Sequence, residues 1–258
     1  MNKAAFAARL AGRRLVYLAE VDSTNRYAWE LAAAGAAAGT VVVAERQTGG
    51  RGRRGRQWTS APGKNLTFSV IVRPALPADR VPLLALAAGA AGLSLLLAEL
   101  PDLQVKWPND LYCRGRKLAG ILAESRLKGK KLDFAILGVG LNVNSEAVDF
   151  PPSLRATATS LCLLTGRRYD LPGLLADYLG HLDDWQAELQ QHGFGGRLRS
   201  LLAAHSYLRD RQVTIEVDGR PVSGRVCGLD ENGRLLLAAG DGRRLAVAAG
   251  EATVRAVA

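Results

Sequence analysis

Residues 40–72 read TVVVAERQTGGRGRRGRQWTSAPGKNLTFSVIV. The stretch opens on the β-branched run Thr40–Ala44 and closes on the apolar run Leu66–Val72, each of strand length, so it predicts strand, loop, strand. Within the loop, Gly50, Gly52 and Gly55 formally satisfy G-x-G-x-x-G. A dinucleotide fingerprint needs a helix directly after its glycines and an acidic residue about 20 positions on. Here Thr59–Asn65 is turn-like, a strand follows, and no Asp or Glu falls between Gly50 and Arg73. A Walker loop fails too, because no Gly-Lys-Ser/Thr closes the run. With the doubly wound reading excluded, strands and helices mixed irregularly along the chain predict an α+β fold.

Working outward, Ser23–Ala34 (STNRYAWELAAA) predicts a helix opened by Ser23, Thr24 or Asn25 and ended by Gly35 and Gly39. Leu103–Trp107 predicts a short strand stopped by Pro108. Leu111–Cys113 and Leu118–Glu124 predict a hairpin around Arg114-Gly115, Leu132–Val143 a further apolar strand, and Leu171–Gln191 a helix with Trp185 on one face. Near residue 205 the pattern changes. Gln212–Val217, Val222–Gly228, Leu235–Ala238 and Arg243–Ala248 are short strands separated by Asp218-Gly219, Asn232-Gly233 and Asp241-Gly242. Such Asx-Gly pairs are strong hairpin signals. The chain therefore divides into a main α+β domain at 1–205 and a small barrel-like β domain at 206–258.

The 258 residues are 48% hydrophobic and 22% charged, which excludes disorder and fibrous repeats. Lys+Arg exceed Asp+Glu by 34 to 24, but only seven of the 34 are lysines, so compositional bias explains the charge better than a polyanion-binding surface does. Cys113, Cys162 and Cys227 are scattered and odd in number, against both a zinc site and an oxidised framework. Arg9, Arg13 and Arg14 interrupt any leader-like run near the N-terminus, and a cytoplasmic protein is expected. Val81–Ala98 is an uncharged stretch of spanning length. It is largely Ala and Gly, contains Pro82 and carries no aromatic belt, so it predicts a buried central helix rather than a membrane span.

Arg51, Arg53, Arg54 and Arg56 fall within six residues. Guanidinium forks match carboxylates and phosphates, and glycines let backbone approach a ligand, so this loop predicts an anion site that orders around its ligand. Lys106-Trp107-Pro108-Asn109-Asp110 combines a cation, an aromatic plate, a stiff turn, an amide and a carboxylate. Lys117 follows in the hairpin. Gly138-Val139-Gly140-Leu141-Asn142 is a strand whose glycines leave room for a ligand. Taken singly, each has a plain structural reading: Ser23 a helix cap, Asp110 part of a turn, Lys117 a solvated lysine.

Together they resemble one family. Asp22-Ser23-Thr24-Asn25, Glu45-Arg46-Gln47-Thr48, Gly50–Trp58, Lys106–Asp110, Lys117–Gly120 and Gly138–Asn142 stand in the order found in biotin protein ligases. The resemblance extends to Ala158–Leu161 with Gly166, and to Gly228-Leu229-Asp230, Gly233 and Gly250-Glu251. It implies a mixed sheet flanked by helices with a small C-terminal SH3-like barrel. It further implies an ATP-dependent ligase that converts biotin to biotinyl-5′-AMP, with magnesium on the phosphates, and passes biotin to a lysine of a biotin carboxyl carrier protein. By the same resemblance, biotin lies against Ser23, Thr24, Asn25, Gln47, Arg51, Gly52, Arg53, Lys117 and Gly120. Arg53, Arg54, Arg56 and Trp58 order around the adenylate, and Lys106, Asn109, Asp110 and Asn142 meet nucleotide phosphates and metal. Arg51, Arg53, Lys106, Asp110 and Lys117 form the catalytic set. Asp110 serves either magnesium or the acceptor lysine, and the sequence does not separate those roles.

Some members of the family carry an N-terminal helix-turn-helix. The 21 residues before Asp22 are too few for one, so no specific nucleic acid and no repressor role are expected. Gln57 stands where the family often has a basic residue. A lipoate ligase is the nearest alternative, disfavoured by the arginine loop and the Lys-Trp-Pro-Asn-Asp motif. A nucleic-acid module lacks a stacking platform, since residues 211–258 hold no Phe, Tyr or Trp. A biotin sensor without turnover is the third reading. The oligomeric state stays open, a homodimer included.

Overall fold

In a computed structural model, residues 2–254 are described except 218, 241, 249 and 251. Asp218 and Asp241 of the predicted turns and Glu251 of the C-terminal motif therefore lie outside the described residues. The larger unit is a seven-stranded sheet of order β1-β2-β3-β7-β6-β5-β4. Its strands are β1 (Leu15–Val21), β2 (Val41–Gln47), β3 (Leu66–Val72), β4 (Leu103–Lys106), β5 (Asp110–Cys113), β6 (Arg116–Lys128) and β7 (Lys131–Leu141). Only β1 and β2 pair in parallel, joined by the crossover helix α2 (Thr24–Ala33). Every other pair is antiparallel, so the sheet is mixed, as the resemblance implies.

Alternation along the central strands sends side chains to two cores. Val41, Val43, Phe68, Val70 and Leu137 face the larger one, which is covered by α1 (Lys3–Arg9), α3 (Leu83–Leu96), α5 (Leu171–His192) and α6 (Gly196–Ala204). Val42, Ile71, Phe134 and Ile136 face Ala28 and Ala32 of α2 on the opposite side. A short helix α4 (Leu161–Thr165), capped by Ser160, follows the loop after β7.

The uncharged Ala/Gly stretch is α3, preceded by Pro82 and buried along almost its whole length. By length and composition alone this segment could cross a membrane; here it packs between the sheet and α5. Its small residues permit close approach: a Cβ on Gly92 would stand 2.5 Å from Leu111 Cδ1 of β5. Tyr178 and Trp185 of α5 lock onto α3, through Tyr178 OH to Ala88 O at 2.6 Å and Trp185 Nε1 to Ser94 Oγ at 2.9 Å. Helix α3 thus braces the strands that carry the Lys106–Asp110 turn.

The predicted C-terminal barrel is a five-stranded antiparallel sheet in the described residues. Its order is β11-β10-β9-β8-β12, from β8 (Gln212–Val217), β9 (Arg220–Leu229), β10 (Leu235–Ala238), β11 (Arg244–Val247) and β12 (Ala252–Val254). Val213, Ile215, Val226, Leu235 and Leu237 belong to the same apolar core as the main unit. Helices α1, α4 and α6 and strands β1 and β12 are absent from the elements the sequence predicts.

Candidate active site

One cleft, enclosing about 910 Å³ with its open mouth, gathers nearly all the singled-out residues. Its floor is the glycine-bearing part of β6 and β7, where Gly120 and Gly140 are cross-strand partners. Ser23–Asn25 and Gln47 close one end, the Lys106–Asp110 turn and Lys117 the other, and the arginine loop with Trp58 forms the roof.

The first end is neutral and densely hydrogen-bonded. Strand β1 delivers the chain to α2, and β2 delivers Gln47 alongside. Ser23 occupies the cap position with extended backbone, yet its side chain makes no capping bond. Gln47 supplies the cap instead, its Oε1 accepting from Thr24 N at 2.7 Å and from Thr24 Oγ1 at 3.1 Å. Ser69 Oγ bridges Thr24 Oγ1 at 2.8 Å and Asn25 Oδ1 at 2.7 Å. Asn25 Nδ2 donates to Glu124 Oε2 at 2.8 Å, and Glu124 Oε1 pairs with Arg51 at 2.9 Å. A continuous relay thus runs from Gln47 to the arginine loop. The reading of Ser23 as a plain side-chain cap is not what the structure has, because an amide oxygen from a neighbouring strand reaches the helix start first.

Two members of that relay were absent from the predicted site. Ser69 is, with Thr67, one of two hydroxyl residues in the β3 run, and Glu124 is a carboxylate at the end of a hydrophobic strand segment. Those incongruities were the available signals. The glycines of β7 line the cleft and also make room for its side chains: a Cβ on Gly138 would come 1.9 Å from Asn25 Oδ1, and one on Gly140 2.2 Å from Trp58 Cε2. They admit the side chains that shape the cleft.

The arginine loop does not rely on a ligand alone for its partners. Arg51 has Glu124, Arg53 Nη1 donates to Asn109 Oδ1 at 3.2 Å, and Arg54 Nη2 donates to Glu216 O of β8 at 3.3 Å. Arg54 itself takes a left-handed backbone (φ 54°), and Trp58 N bonds Gly50 O at 2.9 Å to bring the indole back over the floor. Trp58 Nε1 is buried with no partner, an indole donor that an acceptor on a ligand would satisfy.

At the cationic end, Lys117 Nζ lies 2.8 Å from Asp110 Oδ1. That oxygen is buried and makes no directed hydrogen bond, so the contact is an ion pair rather than an aligned bond. Lys117 Nζ also stands 5.7 Å from the Trp58 ring centroid. Asn109 is fixed by Nδ2 to Ile121 O at 2.6 Å and by its own carbonyl, which accepts from Ile121 N at 2.9 Å. Asn142 is the one predicted residue that does not reach the cleft wall. Its amide donates to Thr159 O at 3.0 Å, and its Oδ1 is buried without a partner.

Among the described residues no group of three or more His, Cys, Asp or Glu side chains could hold a metal. Asp110 is the one carboxylate on the described cleft wall, and it is already balanced by Lys117. A hard cation that takes six or more oxygen ligands would find only this one carboxylate on the described wall.

A family model described as the Biotin/lipoate A/B protein ligase family matches residues 17–142, and one described as the Biotin protein ligase C terminal domain matches residues 210–255. The chain is 35% identical to the biotin–[acetyl-CoA-carboxylase] ligase of Mycobacterium tuberculosis, over 93% of this chain and 88% of that one. It is 34% identical to the bifunctional ligase/repressor BirA of Bacillus subtilis, over 90% of this chain and 71% of that one. A solved structure of biotin protein ligase from Aquifex aeolicus in complex with biotin and ATP superposes with a TM-score of 0.77 at 28% identity, covering 94% of this chain and 98% of the other.

Proposed function

The chain belongs to the biotin protein ligase family, and we propose that its cleft binds biotin by the uncharged groups of Thr24, Asn25 and Gln47 at one end and activates it at the cationic other end. A single observation carries this reading. Across one glycine floor, the cleft passes from uncharged donors and acceptors (Thr24, Asn25, Gln47) to Arg53, Lys106 and Lys117. Biotin has the same polarity, a neutral ureido ring at one end and a carboxylate at the other.

In the first step a carboxylate oxygen of biotin attacks the α-phosphorus of ATP, the bond to the bridging oxygen breaks, and pyrophosphate leaves with the electron pair. Two anions must meet, so fixed cations at the meeting point lower the barrier. Lys117 and Arg53 hold the acyl end, while Lys106, Arg56 and Asn109 hold the nucleotide. Magnesium, when bound, neutralises the leaving pyrophosphate. In the second step the amine of a carrier-protein lysine attacks the acyl carbon and AMP leaves. The paired state of Asp110 favours its role beside the acceptor: it orients Lys117 and takes the proton that the incoming amine must shed. The acceptor is the biotin carboxyl carrier protein of a carboxylase. Reduced Cys113, Cys162 and Cys227, together with use of ATP, support work in the cytoplasm.

The test is mass spectrometry of a purified biotin carboxyl carrier domain incubated with this protein, biotin, ATP and magnesium. One added biotin on a single lysine, absent without ATP, is the expected result. No mass shift and no biotin binding by calorimetry would refute the reading, and lipoate in the same assay would identify the alternative ligase.

A further inference from the structure

Three contacts tie the C-terminal unit and its approach segment to the turn that carries Lys106, Asn109 and Asp110. Along the backbone, Val105 N donates to His205 O at 2.8 Å and Tyr207 N to Val105 O at 2.9 Å, closing the outer edge of β4 just before Lys106. Beside it, Lys106 Nζ lies 5.1 Å from the Tyr112 ring centroid, Tyr112 stacks on Tyr207 at 4.8 Å, and the Arg211 guanidinium lies 4.1 Å from the Tyr207 centroid. Finally, the buried Trp107 Nε1 donates to Gly233 O at 3.0 Å.

Gly233 is held firmly enough to serve as an anchor. Asp230 Oδ1 accepts from Asn232 N and Arg234 N, both at 2.9 Å, and its Oδ2 accepts from Arg234 Nε at 2.6 Å. Across the same turn Asp230 N bonds Arg234 O at 3.0 Å and Gly233 N bonds Asp230 O at 3.1 Å. The turn then seats on α3. Gly233 has φ +73°, and a Cβ there would lie 2.5 Å from Leu83 Cδ2 and 2.8 Å from Leu86 Cδ1. Arg80 Nη1 reaches Glu231 O at 3.2 Å beside it.

We infer that Asp230 and Gly233 are positioning residues for adenylate formation: through Trp107 they set the Lys106–Asp110 turn against ATP. Resting on the reading that this end of the cleft takes the nucleotide, the inference gives the C-terminal unit a defined task in the first half-reaction. The biotin end is built from β1, α2, β2 and β3, and no described hydrogen bond joins it to the Asp230–Arg234 turn. A merely structural contact would weaken both ends together, whereas a positioning contact acts on ATP alone.

The experiment measures biotin-dependent pyrophosphate exchange and biotin binding by calorimetry in the full chain, for Trp107→Phe, Asp230→Asn and, as a reference, Lys106→Ala. Losing one buried hydrogen bond at the turn predicts a rise of about 5–10-fold in KM for ATP in the first two variants, with biotin Kd within about twofold of the parent. Asp230→Asn carries the test if Trp107→Phe does not fold. An unchanged KM for ATP in these variants, with Lys106→Ala raising it, overturns the inference and leaves the site reading standing. An unchanged KM in all three overturns both. Parallel loss of ATP and biotin binding also overturns it, because that is the signature of general destabilisation.

Discussion

Replacing Gly138 by Ala tests the architecture of the biotin end with one methyl group. The new Cβ would lie 1.9 Å from Asn25 Oδ1 and 2.7 Å from its Cγ, where ordinary contact begins at 3.4 Å. Strand β7 is paired on both sides, so it cannot retreat, and Asn25 must swing out. That movement breaks the 2.7 Å bond from Ser69 and the 2.8 Å bond to Glu124, and it releases the carboxylate that holds Arg51. Two buried hydrogen bonds, one to a charged group, together with residual overpacking, amount to about 3 kcal/mol. For a chain of this size that lowers Tm by about 6–12 °C. Biotin affinity falls by about tenfold or more, since the relay end loses its geometry. Differential scanning calorimetry and isothermal titration with biotin read the two effects. Gly140→Ala is the matched comparison: its Cβ meets Trp58 Cε2 at 2.2 Å, but Trp58 rides on a loop that can yield, so it costs less stability. Parent-like Tm and biotin affinity in Gly138→Ala would refute the relay as the basis of that end of the cleft.

Replacing Arg53 by Gly removes a cation and its 3.2 Å bond to Asn109, opening the roof; biotinyl-AMP should escape and label unrelated lysines, and retention equal to the parent's would argue against the roof's role. Lys117→Gln leaves the Asp110 carboxylate without its ion and should lower the single-turnover rate of adenylate formation about 10²–10³-fold; a loss under threefold would remove Lys117 from the catalytic set. Burial alone would raise the Asp230 carboxyl, but the Arg234 and Asn232 amides and the Arg234 side chain outweigh it and hold it below the ordinary range. A folded value below the unfolded one means stability that is fully present at neutral pH and is lost as pH falls below about 4 through the lowered value. The Tm gap between the parent and Asp230→Asn should therefore close in acid, and a constant gap down to pH 2 would contradict this.

Much of this arrangement was legible because local and global signals agreed. The runs at Thr40–Ala44 and Leu66–Val72, and the Ala/Gly helix ahead of Leu103, are apolar enough that only burial satisfies them. The Asn232-Gly233 pair marked its turn for the same local reason. Strand β1 escaped notice because it lies at the sheet's edge, only partly buried, with Ala19 and Glu20 both exposed, so no clean period reports it. Within the site, residues carrying charge or glycine were conspicuous, while Ser69 was not: its significance arises only when α2 is laid across β3. Asn142 shows the converse error. It sits among motif residues in sequence, but β7 ends at Leu141 and the Asn142 amide is spent on Thr159 O instead of the cleft.

The preference for guanidinium over ammonium around the cleft bears on self-labelling. An enzyme that makes an acyl-adenylate is itself the protein nearest to that reagent. Arginine has no electron pair to offer at physiological pH, so the four arginines of the roof attract the anion without competing for the acyl group. Of the seven lysines in the chain, two reach the cleft wall, and both are engaged: Lys117 with Asp110, and Lys106 over Tyr112. The cleft is cationic yet poor in available nucleophiles, which reserves the activated carbonyl for an amine brought from outside.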